Sequence, residues 1–176
     1  RINGLMRTEA LPPWTSLKDG ELPTDGIRWD RHTFALAKYY IEKHRPRFLY
    51  LSFVDTDEYG HWEEFANYEN RIRDTDGWID ELRVMLDGMG DYGANTVFVI
   101  TTDHGRGAFH QWGWHGPFWP TSRDIWMYVQ HPPAAKGFTA LDPTTTEAQH
   151  RDLRPTFETL LGPVSYTHLT LPTNRE

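Results

Sequence analysis

At 176 residues, with 38% hydrophobic and 24% charged residues, the chain has the composition of one ordinary globular domain with a core of its own. A formal net charge of -7 without a Lys or Arg run gives nucleic-acid phosphates no evident electrostatic partner. The lack of cysteine excludes disulfides, thiolate metal ligands and a cysteine nucleophile, and no apolar run approaches the roughly 20 residues that span a bilayer.

The chain opens on Arg1 rather than Met and shows no charged-then-apolar leader, which reads as upstream processing or truncation. Arg1 to Gly26 carries Pro12, Pro13 and Pro23 without a steady period, so residues 1–28 are expected to be an irregular remnant of a truncated N-terminal part. From Trp29 the apolar positions Phe34, Leu36, Ala37, Tyr40 and Ile41 predict a helix, with Asp30 as its cap and Pro46 as its stop. Arg47 to Val54 is aromatic and nearly continuous in apolarity, which predicts a strand covered on both faces and ending at Asp55-Thr56-Asp57.

A second helical pattern runs from about Tyr68 to Met89, with Ile72, Ile79, Leu82, Met85 and Leu86 on one stripe and Gly88 and Gly90 at its end. Asp74 and Asp76 on it have Arg71, Arg73 and Arg83 nearby and read as surface partners of those cations. Asn95 to Thr102 predicts a second buried strand, again ending at an acidic residue, Asp103. Strand, helix, strand is a parallel-sheet unit. A third strand is expected at Ile125 to Val129 and a last helix around Glu147 to Leu161, ended by Gly162. Val164 to Glu176 does not extend this pattern and reads as a non-native tail similar to translated adapter sequence.

Ligands in open parallel sheets gather beyond the carboxyl ends of the strands, and both buried strands deliver acidic and imidazole groups there. Asp57 and His61 stand four residues apart on a turn opened by Gly60, a spacing that suits two-sided grip on one divalent cation. Asp103-His104 adds an adjacent pair, with Gly105 permitting a sharp departure of the backbone. His115 follows from a loop rich in aromatics, Trp112, Trp114, Phe118 and Trp119, which suit water exclusion or contact with a substrate ring. Each histidine alone has a bland reading as a hydrogen-bonded surface group, but carboxylate-imidazole pairs at the same end of two strands, with a third His after them, point to metal.

These segments, Asp-Thr-Asp-Glu-Tyr-Gly-His at 55 to 61, Thr-Thr-Asp-His-Gly-Arg-Gly at 101 to 107 and Trp-His-Gly at 114 to 116, resemble the alkaline phosphatase superfamily. The nearest resemblance is to its type I phosphodiesterase/nucleotide pyrophosphatase-like and sulfatase-like branch. His150 to Gly162 is similar to the family's closing helix, so the resemblance spans about Arg47 to Gly162.

The resemblance implies an α/β fold, a mostly parallel sheet flanked by helices and incomplete at the N-terminus, with residues 29–163 as the C-terminal half of a metal-dependent hydrolase domain. It implies that Asp57, His61 and His115 hold one divalent ion while Asp103 and His104 belong to a second, with His110 a competitor that the following glycine disfavours against His115. The all-nitrogen-and-oxygen donor set suits zinc first and manganese second. The implied activity is hydrolysis of small phosphate mono- or diesters by in-line displacement; the alternatives are a sulfatase or phosphosugar mutase, or a metal-binding domain without turnover. Arg106 is expected to neutralise charge on a bound phosphate or sulfate, against an alternative as a loop cation paired with Glu58 or Glu63. Asp55 reads as a supporting residue behind the ligands or as a cap. No segment before Asp57 matches the family's nucleophile motif: Thr15 and Ser16 lack its strand and Asp-Gly signature, so the nucleophile is unassigned and the chain reads as a fragment. Export is expected only by analogy with relatives.

Overall fold

In the computed structural model, the described residues are 29–130 and 148–162. The expected remnant, with Thr15 and Ser16, and the expected tail lie outside them. The chain divides into a unit from Arg1 to Phe138 and a unit from Thr139 to Glu176. Among the described residues, no helix is long and apolar enough to cross a membrane.

The first unit contains α1 (Asp30–His44), α2 (Asp55–His61), α3 (Phe65–Asp87), the short α4 (Asp91–Ala94), then β1 (Phe98–Thr101) and β2 (Met127–Gln130). α1 buries Phe34, Ala37 and Ile41, at helical spacing, together with Leu36. It ends as Arg45 turns left-handed ahead of Pro46, its N–H still donating to the Ile41 carbonyl at 2.9 Å. α3 meets α1 through Leu82 and Leu86, which form the core with Phe34 and Ile41. Trp78 completes this layer by stacking on Phe34 at 5.3 Å and leaning on Phe53 at 5.4 Å. Ile72, expected on the inward stripe, is exposed, and the buried residues of α3 are Leu82 and Leu86 in its last turns.

Two expectations need correction. Residues 47–54 are not a strand covered on both faces: Leu49, Leu51 and Phe53 pack on the core while Phe48 and Tyr50 are exposed. Such alternation is the period of an extended segment with one face covered. The parallel sheet is likewise not formed among the described residues, where β1 instead pairs antiparallel with β2, Val99 opposite Val129. Apolarity identified the extended segments, but pairing direction depends on contacts between them that apolarity does not encode.

Asp30 does not cap its own helix. It is the first residue of α1, and its carboxylate accepts the N–H groups of Val54, at 2.8 Å, and Asp55, at 2.8 Å. Asp55 reciprocates, Oδ1 accepting the Asp30 N–H at 3.0 Å. Both residues are almost fully buried, at 1% and 2% exposure, so the starts of α1 and α2 are locked together by two carboxylates. α2 itself follows directly, with the Asp57 and Glu58 N–H groups donating to the Val54 carbonyl.

The second unit is described over a 3-10 turn, His150–Asp152, leading into α5 (Leu153–Leu161), shorter than the expected helix. A reciprocal Gln149–Asp152 cap sets its start, and Arg154 pairs with Glu158 one turn on, at 2.9 Å.

Burial holds the Asp30 carboxyl up at about 6, from an ordinary 3.8, although its two backbone donors pull the other way. Burial raises Asp55 as well. A raised carboxyl means that the folded state binds protons more readily than the unfolded chain, so this contribution to stability is fully present below about pH 4 and is lost as pH rises through about 6. A displacement of this size corresponds to about 3 kcal/mol. Asp30→Asn turns one acceptor toward an N–H as a donor, so urea unfolding should show a loss of about 1 to 3 kcal/mol and a shallower fall in stability between about pH 4 and 6. An unchanged midpoint and slope would show that the bracket carries no stability.

Candidate metal centre

Asp57 and His61 are not on a turn: α2 runs through both, so their four-residue spacing places them on one helix face. His61 Nε2 lies 3.3 Å from Asp57 Oδ2. His115 approaches from the loop before β2, its Nε2 3.0 Å from His61 Nε2 and 3.6 Å from Asp57 Oδ1. One donor atom from each of Asp57, His61 and His115 falls within 4.8 Å of the others, and this is the one such group of three found among the described residues. Asp57 and His115 are half-buried and His61 is exposed.

His104 stands beside this group. Its ring stacks on His115 at 3.8 Å, and its Nδ1 contacts the Gly105 carbonyl at 2.9 Å, which assigns the proton to Nδ1 and leaves the Nε2 lone pair outward. That Nε2 is 3.7 Å from Asp57 Oδ1 and 3.7 Å from Asp103 Oδ1. Asp103 itself is highly exposed, and its Oδ1 also accepts the His104 N–H. The structure thus gathers Asp57, His61 and His115, sets His104 against them, and leaves Asp103 at the rim. His110 lies in an exposed 3-10 turn, Phe109–Gln111, and is not part of the group.

Burial, reinforced by the neighbouring His104, holds His115 below the ordinary imidazole value, with Asp57 opposing the shift. A neutral imidazole is the form that offers a lone pair to a cation. Two facing Nε2 atoms at 3.0 Å, one carboxylate and no sulfur form a donor set that fits a borderline divalent ion such as zinc.

Arg106 reaches back to α2, its Nη1 donating to Asp57 Oδ1 at 2.6 Å. Its partner is therefore Asp57, and not Glu58 or Glu63. The expected aromatics divide into two groups. Trp112 packs edge-on against Phe65 and Tyr68 at the start of α3, whereas Trp114 stacks on Trp119 and turns its edge toward His61. Asp74 pairs with Arg71 at 2.9 Å, an ordinary helix-surface contact.

Sequence reasoning missed Ser122. Buried in the 3-10 turn Pro120–Arg123, it accepts the Gly105 N–H on its carbonyl at 2.9 Å and the Gly116 N–H on its hydroxyl at 3.0 Å. One residue thereby ties together the backbones immediately following His104 and His115. Gly105 is required for this approach, since a Cβ there would fall on the Thr121 and Asp124 carbonyl oxygens. A lone serine among surface-type residues carries no sequence signal for such a tie. Ser122→Ala should lower stability by about 1 kcal/mol and broaden the His115 ring resonances in NMR spectra. Sharp, unshifted His115 signals would exclude this role.

A family model described as Type I phosphodiesterase / nucleotide pyrophosphatase matches residues 4–159. Comparison with curated proteins and with solved structures gave no match. The matched span contains every residue of the metal-type cluster and most of the chain, so the protein belongs to the type I phosphodiesterase / nucleotide pyrophosphatase family of the alkaline phosphatase superfamily, a family of phosphoester hydrolases.

Proposed function

We propose that the protein hydrolyses small phosphate mono- or diesters by in-line displacement at a centre of two divalent ions. The observation that carries this reading is the convergence of Asp57, His61 and His115 donor atoms within 4.8 Å of one another, in a chain of this family. In the reading, these three hold one ion and Asp103 and His104 contribute to a second. Zinc is the first choice because the donors are imidazole nitrogen and carboxylate oxygen. Bound ions of this kind polarise a phosphoryl oxygen and stabilise both entering and leaving oxygens.

The chain's own residues support such chemistry through position. α2 presents Asp57 and His61 on one face, and the Ser122 tie fixes the backbones that carry His104 and His115. Trp114, beside His61, stacks on Trp119, and the pair offers an apolar face that suits an apolar leaving group. The nucleophile is not assigned to any described residue. Relatives that are exported make a periplasmic or extracellular setting the favoured one, by analogy alone.

Calorimetric titration of the metal-stripped chain with zinc should give tight binding. His61→Ala and His115→Ala should each weaken it by roughly tenfold or more, since each removes a direct ligand. With zinc restored in a chain that also carries the family's nucleophile segment, bis(p-nitrophenyl) phosphate should be hydrolysed in preference to p-nitrophenyl sulfate, and chelator should abolish turnover. Undiminished zinc affinity in both variants would sink the ligand assignment. Preference for the sulfate ester would transfer the protein to the sulfatase reading, and zinc binding without any turnover even in a chain that carries the family's nucleophile segment would transfer it to that of a non-catalytic metal-binding domain.

A further inference from the structure

Arg106 lies two residues beyond His104, yet its hydrogen bonds run to the far side of the centre. Nη1 donates to Asp57 Oδ1 at 2.6 Å, Nη2 to the Asp57 carbonyl at 3.1 Å, and Nε to the Trp112 carbonyl at 2.9 Å. The side chain is only 13% exposed. Gly60, one turn along α2, leaves the space it fills, because a Cβ at that position would fall on the guanidinium. Gly60 is itself buried, in the last turn of α2, and its φ is not positive, so its backbone conformation does not call for a glycine. The glycine is thus explained by the arginine, and not by any turn.

We propose that Arg106 is a positioning residue for the metal centre: its planar fork fixes the rotamer of Asp57, engages Oδ1, and leaves Oδ2 turned to His61. This rests on the reading of Asp57 as a ligand. Three of the five N–H groups of the guanidinium serve two carbonyls and a carboxylate, and swinging this largely enclosed side chain onto a phosphate would break those bonds. Holding a carboxylate from behind is instead what residues around metal ligands do, and their loss typically weakens metal binding by about 10- to 100-fold. Charge alone acts in the opposite direction, because a cation next to the centre disfavours another cation. Geometry and charge therefore make opposite forecasts.

Zinc affinity of the metal-stripped chain, compared across Arg106→Met, Arg106→Lys and Gly60→Ala, separates them. Positioning requires all three to bind zinc about tenfold or more weakly. Lysine keeps the charge but not the fork, and Gly60→Ala keeps every donor atom while denying the guanidinium its place. The Gly60→Ala, Arg106→Met double variant should be no weaker than the worse single one, since both remove the same contact. In the metal-free chain, the Arg106 Nε–H resonance should exchange slowly with water, and Gly60→Ala should abolish that protection.

Tighter zinc binding by Arg106→Met, or unchanged affinity in all three variants while the unaltered chain binds zinc, would overturn the inference and leave the metal reading standing. Fast exchange of the Arg106 Nε–H in the unaltered chain would remove the contact itself. Failure of the unaltered chain to bind zinc would overturn the metal reading and this role with it. A circular dichroism spectrum retained by Gly60→Ala shows that weaker binding there is not loss of the fold.

Discussion

The Asp57 carboxylate is the point on which the centre depends. Arg106 Nη1 and the Nε2 atoms of His61, His104 and His115 all lie within 3.7 Å of one of its oxygens. A carboxylate can satisfy that many positive or donor groups only by sharing, and two imidazole nitrogens facing each other at 3.0 Å need either a proton or a cation between them. Histidines kept for packing alone would each find a separate partner, as His104 Nδ1 does on the Gly105 carbonyl. Convergent lone pairs are the feature that distinguishes this cluster from a group of surface histidines.

Those atoms are held from three directions. The reciprocal Asp30–Asp55 bracket fixes the start of α2 two residues before Asp57. Arg106 holds the Asp57 side chain from behind, and Ser122 joins the backbones after His104 and His115. Each restraint is made by a different chain segment, so no single loop movement disperses the cluster. On the proposed reading, a cluster held in this way would not have to order its donors when an ion arrives, because that ordering cost is already met in folding.

What was legible in the sequence follows the range of the interaction. Asp57 and His61 stand four residues apart and Asp103-His104 are adjacent, so short-range spacing marked them as candidates, although the helix that carries the first pair was read as a turn. The helices α1 and α3 were also readable, because their buried residues recur at 3.6-residue spacing. By contrast, the contact of Arg106 with Asp57 spans 49 residues, and that of Asp30 with Asp55 spans 25. No local pattern marks either one. Gly60 shows how a long-range cause can pass for a local one: it reads as a turn residue in sequence, yet it lies inside α2 and is small because a guanidinium rests on it. The direction of the sheet was hidden for the same reason, since the antiparallel pairing of β1 with β2 is a contact across 25 or more intervening residues.

The buried carboxylates show how such a site is kept in place at an energetic cost. Asp30 and Asp55 face one another's helix starts with almost no solvent, which destabilises both anions and raises both carboxyl groups. Hydrophobic residues there would avoid that cost but could not accept the N–H groups of Val54, Asp55 and Asp30. A buried donor without a partner costs about 1 to 3 kcal/mol, so with three donors to satisfy, the carboxylate pair is the less costly arrangement. The same pair also gives α2 a fixed starting point, and with it a fixed register for Asp57, Gly60 and His61. A polar lock is therefore suited to this position where an apolar contact is not: directional bonds specify which residue begins the helix, whereas apolar packing tolerates a slip that would turn Asp57 away from His115.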